Sequence, residues 1–239
     1  MYRRTFLKAG GMAALGLGLG GCATRQSPRI RPAGPSLDLP PVNISWDRII
    51  RTTVGLRPHR PSGCVLRVEK IDAKTVIHNY GHGGAGISLS WGTGYLAADF
   101  AIEHGDRRAA VIGCGAVGLA AARQLQRRGF EVTIYAMAVP PDTTSNMALA
   151  GFTPTSGLVE VDRRTPEWDT QFRRAAEIAY RQLQLLTGAH YGVSWIDSYS
   201  TMNDLRAPGA GEAGSGLLPS SLQTGRVVLQ PGAHPFPLK

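Results

Sequence analysis

Cysteine is scarce, with only Cys22, Cys64 and Cys114 in a chain of 239 residues. They show neither the C-x-x-C spacing of a zinc or redox site nor an even set of bridging partners, which excludes a stapled scaffold and a cysteine-held metal. Cys114 falls inside a glycine turn and Cys64 beside a strand, positions where small buried thiols are common. Acid is short as well: 17 Asp and Glu stand against 26 Lys and Arg, for a formal charge of +9. Part of that excess, Arg3, Arg4 and Lys8, sits in the amino-terminal segment. The rest is scattered without the aromatic interleaving that stacks bases, so nucleic acid is not an expected partner. No internal repeat occurs. Glycine is plentiful, 30 residues beside 16 prolines, gathered in blocks that read as turns, cofactor loops and linkers.

The amino terminus reads as an address. In residues 1–22 the paired Arg3 and Arg4, with Phe6, Leu7 and Lys8, precede an apolar stretch and resemble a twin-arginine export signal. Leu19-Gly20-Gly21-Cys22 resembles a lipobox, which would make Cys22 a lipid anchor and the location periplasmic or membrane-attached. An uncleaved span is the alternative, since about 20 apolar residues can cross a bilayer, but the glycines make this a weak helix. Residues 23–45, with Pro28, Pro32, Pro35, Pro40 and Pro41, read as an extended tether.

The strongest local pattern begins at Ala109-Ala110-Val111-Ile112. This apolar run opens onto Gly113-Cys114-Gly115-Ala116-Val117-Gly118, then Leu119, Ala122, Leu125 and Gln126 keep helical spacing up to Gly129, and residues 130–135 read as a second strand. Strand, glycine turn, helix and strand together predict a dinucleotide site. Gly113 permits the turn, Gly115 lets backbone approach a pyrophosphate, and Gly118 lets the helix lie close. The helix start offers unsatisfied amides and a positive dipole end to phosphate. The acidic residue expected about 20 residues on, to hold the ribose, is missing. Tyr135 and Ala136 take its place, so the turn alone leaves NAD and FAD both open.

Two other segments carry a resemblance. Thr52-Thr53-Val54-Gly55-Leu56-Arg57-Pro58-His59-Arg60-Pro61 and the run from Val76 through His78-Asn79-Tyr80-Gly81-His82-Gly83-Gly84-Ala85-Gly86 to Gly92 closely resemble the carboxyl-terminal signature of the D-amino-acid and D-aspartate oxidase family, GLRPxRP and HNYGHGGxG. In that family these motifs follow the substrate domain, whereas here they precede the glycine turn, so the order is circularly permuted, with Glu103 to Arg108 as the join. Chain ends that lie close together permit such an exchange. Thr143-Thr144-Ser145-Asn146 is similar to the family's threonine-rich loop at the cofactor. His78 and His82 have helical spacing for a metal, but the intervening glycines oppose a regular helix, and no metal is expected.

The resemblance implies an α/β fold: a Rossmann-like FAD-binding domain over residues 46–158 and an incomplete α+β substrate domain over 159–239. It implies FAD, oxidative deamination of a D-amino acid, and molecular oxygen as the reoxidant. Arg57 matches the family's carboxylate-binding arginine and Gly84 a position whose carbonyl holds the substrate amine. Gly83, Ala85, Gly86, Ile87 and Ser88 match the loop and helix start beside the flavin. Gly113 to Gly118 with Thr143, Thr144 and Ser145 complete the cofactor set. Because no further match to the substrate sheet follows, turnover by this chain is expected to be poor. A noncatalytic exported lipoprotein and an NAD-dependent dehydrogenase are the alternatives. Downstream, Thr165-Pro166-Glu167 reads as a helix cap, with Trp168, Phe172, Ala175, Ala179, Leu183 and Leu186 on one apolar face. Gly192 to Asp197 and Arg226 to Gln230 read as strands flanking a mobile loop from Pro208 to Ser221.

Overall fold

A computed structural model describes residues 43–155 and 157–196. The export signal, nearly all of the tether, the loop from Pro208 to Ser221 and the strand expected at Arg226 to Gln230 lie outside the described residues. Strands β1 (Val65–Ile71) and β2 (Lys74–Tyr80) form an antiparallel hairpin with Leu66 opposite Asn79 and Val68 opposite Ile77. Its tight turn places Asp72 at φ 51, the left-handed region that Asp tolerates through local hydrogen bonding. Period-2 alternation turns Leu66 and Ile77 inward, while Glu69 on the outer face accepts from Arg67 at 2.9 Å and pairs with His78 at 2.8 Å.

Helix α1 (Gly86–Ile102) is the hub. Small residues line it on several sides, and Ser88, Leu89, Thr93, Ala97, Ala98 and Ala101 are all buried, the pattern of a helix enclosed by neighbours. Its internal glycines lower helix propensity, and the packing explains them. A Cβ on Gly92 would strike the Ala175 carbonyl of one neighbouring helix, and one on Gly94 would come within 2.8 Å of Ala121 N of the other. Thr93 donates to Leu89 O at 3.3 Å and Ser90 to Ile87 O at 3.0 Å, so these two hydroxyls are satisfied by the helix's own backbone.

Strand β3 (Arg108–Ile112), helix α2 (Ala116–Gln126) and strand β4 (Glu131–Tyr135) form the expected unit, with the two strands parallel and Ala110 opposite Thr133. Gly129 (φ +80) lets the chain leave α2. Phe130, Leu125, Ala98 and Ala101 then form a core cluster on which Ile77, Val111 and Val132 pack. Helix α3 (Pro166–Leu185) starts as its sequence indicates: the Thr165 hydroxyl accepts from Trp168 N at 3.2 Å, and Pro166 opens the first turn. Phe172 and Ala176 join Cys64, Ala85, Leu89 and Leu158 in a second cluster. Trp168 stacks on Phe172 with centroids 5.3 Å apart and donates from Nε1 to Cys64 O at 3.0 Å. Burial pushes the Cys64 thiol up to about 11, so it is protonated and unreactive at neutral pH.

One expected strand is not formed. The chain from Gly192 to Ile196 makes only isolated bridges, Val193 with Thr187 and Gly188. Gly188 (φ +137) and Gly192 (φ +67) fold this stretch back on the end of α3, and Asp197 lies outside the described residues. Alternation alone cannot supply a pairing partner, which is why the sequence pattern misleads there. Among the described residues no helix is long and apolar enough to cross a membrane.

Candidate functional site

The glycine turn between β3 and α2 has the form that its spacing requires. Gly113 has φ +109 and donates to Tyr135 O at 2.8 Å, which ties the turn to the end of β4. A Cβ on Gly118 would collide with Gly113 O, so only glycine lets α2 start this close to the turn. Gly115 is the N-cap and has no side chain to satisfy the helix amides. Those of Val117 and Gly118 lie in the first turn, where no intrahelical acceptor exists. Ser145 supplies one partner from outside: its Oγ accepts from Ala116 N at 2.9 Å. Cys114 is half-buried within the turn.

Ser145 stands in the 3-10 turn Thr144–Met147, which Thr143 steadies by donating to Asn146 Oδ1 at 2.8 Å. On its other side this turn meets the Gly55 to Arg60 segment, because a Cβ on Gly55 would lie 3.0 Å from the Met147 side chain and 3.3 Å from the Thr144 methyl. Sequence separation between these pieces approaches a hundred residues, and they meet at one place.

Helix α1 opens at the same edge. Its N-cap, Ala85, makes no side-chain cap, and Leu89 N bonding Ala85 O at 2.9 Å is the first intrahelical bond. The amides of Gly86, Ile87 and Ser88 therefore precede the helical ladder. Gly86 lies 4.0 Å from the Val117 methyl, measured from where its Cβ would be, and Gly94 lies against Ala121. The two helices thus run in the same sense with their positive ends side by side, an arrangement suited to anionic groups. The Ser88 hydroxyl is engaged elsewhere. It donates to Gly151 O at 3.2 Å and accepts from Thr153 N at 2.8 Å, holding the 151–153 segment.

Gly83 (φ +55) is wedged between two carbonyls. Its N–H donates to Pro58 O at 3.1 Å, and Gly157 O occupies the place of a Cβ. Gly84 is half-buried beside it. Arg57 is exposed, and its guanidinium Nη1 lies 2.5 Å from where a Cβ on Gly157 would stand. Arg57, Gly83 and Gly157 therefore share one corner. His78 and His82 diverge: His78 pairs with Glu69 on the outer hairpin face, while His82, 2% exposed, contacts Thr93 Oγ1 through Nε2 at 3.1 Å. Burial pushes the His82 imidazole down to about 4, so it is neutral near pH 7. Among the described residues no three metal-binding side chains cluster.

Gly157, His59 and Met147 belong to this neighbourhood without having been singled out from sequence. His59 occupies the variable place of the GLRPxRP motif, and Gly157 is one more Ser-Gly turn; nothing local marks either as a neighbour of Arg57.

Parallel strands around a glycine turn, with two helix amino termini beside it, define a dinucleotide-binding arrangement. Residues 108–215 match the family model described as DAO, FAD dependent oxidoreductase. The chain is 41% identical over 58 residues to a D-amino-acid oxidase of Streptomyces coelicolor, covering 24% of this chain and 18% of that protein. It is 46% identical over 55 residues to a D-amino-acid oxidase of Rubrobacter xylanophilus, covering 23% and 17%. With the D-aspartate oxidase of Homo sapiens it shares 47% over 58 residues, again 23% and 17%. No solved structure matches. The chain is thus related, over parts of its length, to the FAD-dependent oxidoreductases of the D-amino-acid-oxidase family, and the family match implies FAD as cofactor. It spans less than a fifth of the length of these relatives, 17% to 18%.

The site fits the phosphate part of FAD: nothing lies within 4 Å of a Cβ position on Gly113, and the first amides of α2 sit at that turn. It lacks the ribose acid, because β4 ends at Tyr135, and Glu131 begins that strand opposite Arg108.

Proposed function

We propose that this chain provides the FAD-binding part of a flavoenzyme that oxidatively deaminates D-amino acids. The observation that carries the reading is convergence: Ser145 on Ala116, Gly55 on Thr144 and Met147, Gly83 on Pro58, and Gly86 on Val117 bring all the family-like segments to one edge despite their permuted order. Gly113, Gly115, Ala116, Val117 and Gly118 would hold the pyrophosphate, with Thr143, Thr144 and Ser145 closing over it. When bound, FAD would supply the acceptor for the hydride of the substrate α-carbon and pass electrons to oxygen.

The chain's own residues would bind and orient the substrate. The Arg57 fork suits a carboxylate because it offers two parallel N–H donors at a fixed angle. Among the described residues it makes no ion pair, so its charge is available. A carbonyl at Gly84 suits an ammonium or amine, and the unshared amides of Gly86, Ile87 and Ser88 favour negative charge at the ring. Residues 159–239 would contribute to the substrate side. Anaerobic reduction of chain-bound FAD by a D-amino acid, and not by its L-enantiomer, with loss in Arg57→Ala, is the expected outcome. Equal response to both enantiomers would refute the proposal, whereas slow reduction accords with the poor turnover expected of this chain.

The paired Arg3 and Arg4 and the Leu19 to Cys22 tetrapeptide support export with lipidation at Cys22. Intact-mass analysis and fractionation of a bacterial host test this, and an unprocessed cytoplasmic protein is the contrary result.

A further inference from the structure

We infer that Gly157 and His59 are positioning residues for the Arg57 guanidinium, and that this pair sets how tightly the site holds a small carboxylate. The inference rests on the carboxylate-binding role proposed for Arg57. Three backbone links hold its surroundings. Gly83 N donates to Pro58 O at 3.1 Å, Glu160 N donates to Pro61 O at 2.9 Å, and His59 N donates to Arg57 O at 2.8 Å. These fix the backbone on either side of Arg57, whereas its long side chain has several rotatable bonds and would wander unless something walled it in.

Gly157 is that wall. It adopts φ +52, a Cβ there would come within 2.5 Å of Arg57 Nη1, and its own carbonyl fills the space beside Gly83. The Nη1 end of the guanidinium therefore abuts a bare stretch of backbone, where any side chain would displace it. His59 fixes the wall in place. Its Nδ1 lies 3.2 Å from Gly157 O, within donating distance, and its Nε2 lies 3.8 Å from Glu160 Oε1. One imidazole thus braces both ends of the 157–160 segment against the strand of chain that carries Arg57.

Displacing the guanidinium costs one of the two charge-assisted bonds of a bidentate carboxylate, which corresponds to on the order of tenfold in affinity. The test titrates the full chain with propanoate and with propanamide, its neutral isostere, followed by ligand-observed NMR. Wild type is expected to prefer propanoate, and Arg57→Ala to abolish that preference. Gly157→Ala should weaken propanoate about tenfold while leaving propanamide unchanged. Gly157→Asn does the same with a residue that tolerates the left-handed region, in case the alanine variant does not fold. His59→Ala should weaken propanoate likewise, and His59→Asn, whose amide donor stands where Nδ1 does, should restore it.

In the Arg57→Ala background neither substitution should have any further effect, which separates action through Arg57 from general loosening. Arg57-dependent propanoate binding that survives Gly157→Ala, Gly157→Asn and His59→Ala overturns this inference and leaves the proposed function standing. A wild-type chain with no preference for propanoate over propanamide overturns the reading of Arg57, and this inference with it.

Discussion

Acidification should destabilise this protein through one buried imidazole. His82 is 2% exposed and its partner is the Thr93 hydroxyl; burial lowers it from 6.5 to about 4. A histidine whose folded-state value is depressed is neutral in the fold and protonated first in the unfolded chain. Stability is therefore full above about pH 6.5, declines as the unfolded chain takes up its proton, and stops declining below about pH 4, where the folded form is protonated too. At about 1.4 kcal/mol per pH unit, that window is worth about 3 kcal/mol, a large share of a domain's typical 5 to 15 kcal/mol. Glu69, held low by its hydrogen bond from His78, and Asp169, held low by Arg164, act differently. Their stabilisation is present above the ordinary carboxylate range and is lost only as pH falls through it, so the upper part of the window belongs to His82. Urea unfolding of wild type and His82→Gln at a series of pH values measures the difference. The wild-type free energy should fall with acidification by about 3 kcal/mol more than that of the variant. Parallel pH profiles for the two proteins would refute the reasoning.

Other perturbations follow from the packing. Gly92→Ala gains up to about 1 kcal/mol of helix propensity but drives a methyl into the Ala175 carbonyl, and overpacking of that kind costs about 1 to 3 kcal/mol, so a lowered melting temperature is expected. Thr165→Ala removes the α3 cap and should cost about 1 kcal/mol in chemical unfolding. Ser145→Ala leaves Ala116 N without its acceptor and should weaken FAD several-fold in a fluorescence titration; unchanged affinity would remove Ser145 from the cofactor contacts.

How much of this was legible in the sequence depended on whether a feature was local. The β3–α2–β4 unit was legible because the turn chemistry of Gly113 to Gly118 and the helical period of Leu119 to Gln126 agree within thirty residues. The start of α3 was legible for the same reason, since Thr165 and Pro166 carry their own cap signal. The close packing at Gly92 and Gly94 was not legible, because it depends on neighbours distant in sequence. Gly157 was invisible because its role depends on a side chain a hundred residues earlier. Gly192 to Ile196 failed as a strand because, among the described residues, no second strand lies beside it.

The central claim is that the permuted segments assemble an FAD site. Titrating the purified chain in parallel with FAD and NAD tests it most directly, with Gly118→Ala as the variant whose methyl would strike Gly113 O in the turn. The account predicts that FAD binds more tightly than NAD, with quenched flavin fluorescence, and that Gly118→Ala weakens it. Tighter binding of NAD, or FAD binding indifferent to Gly118→Ala, would contradict it.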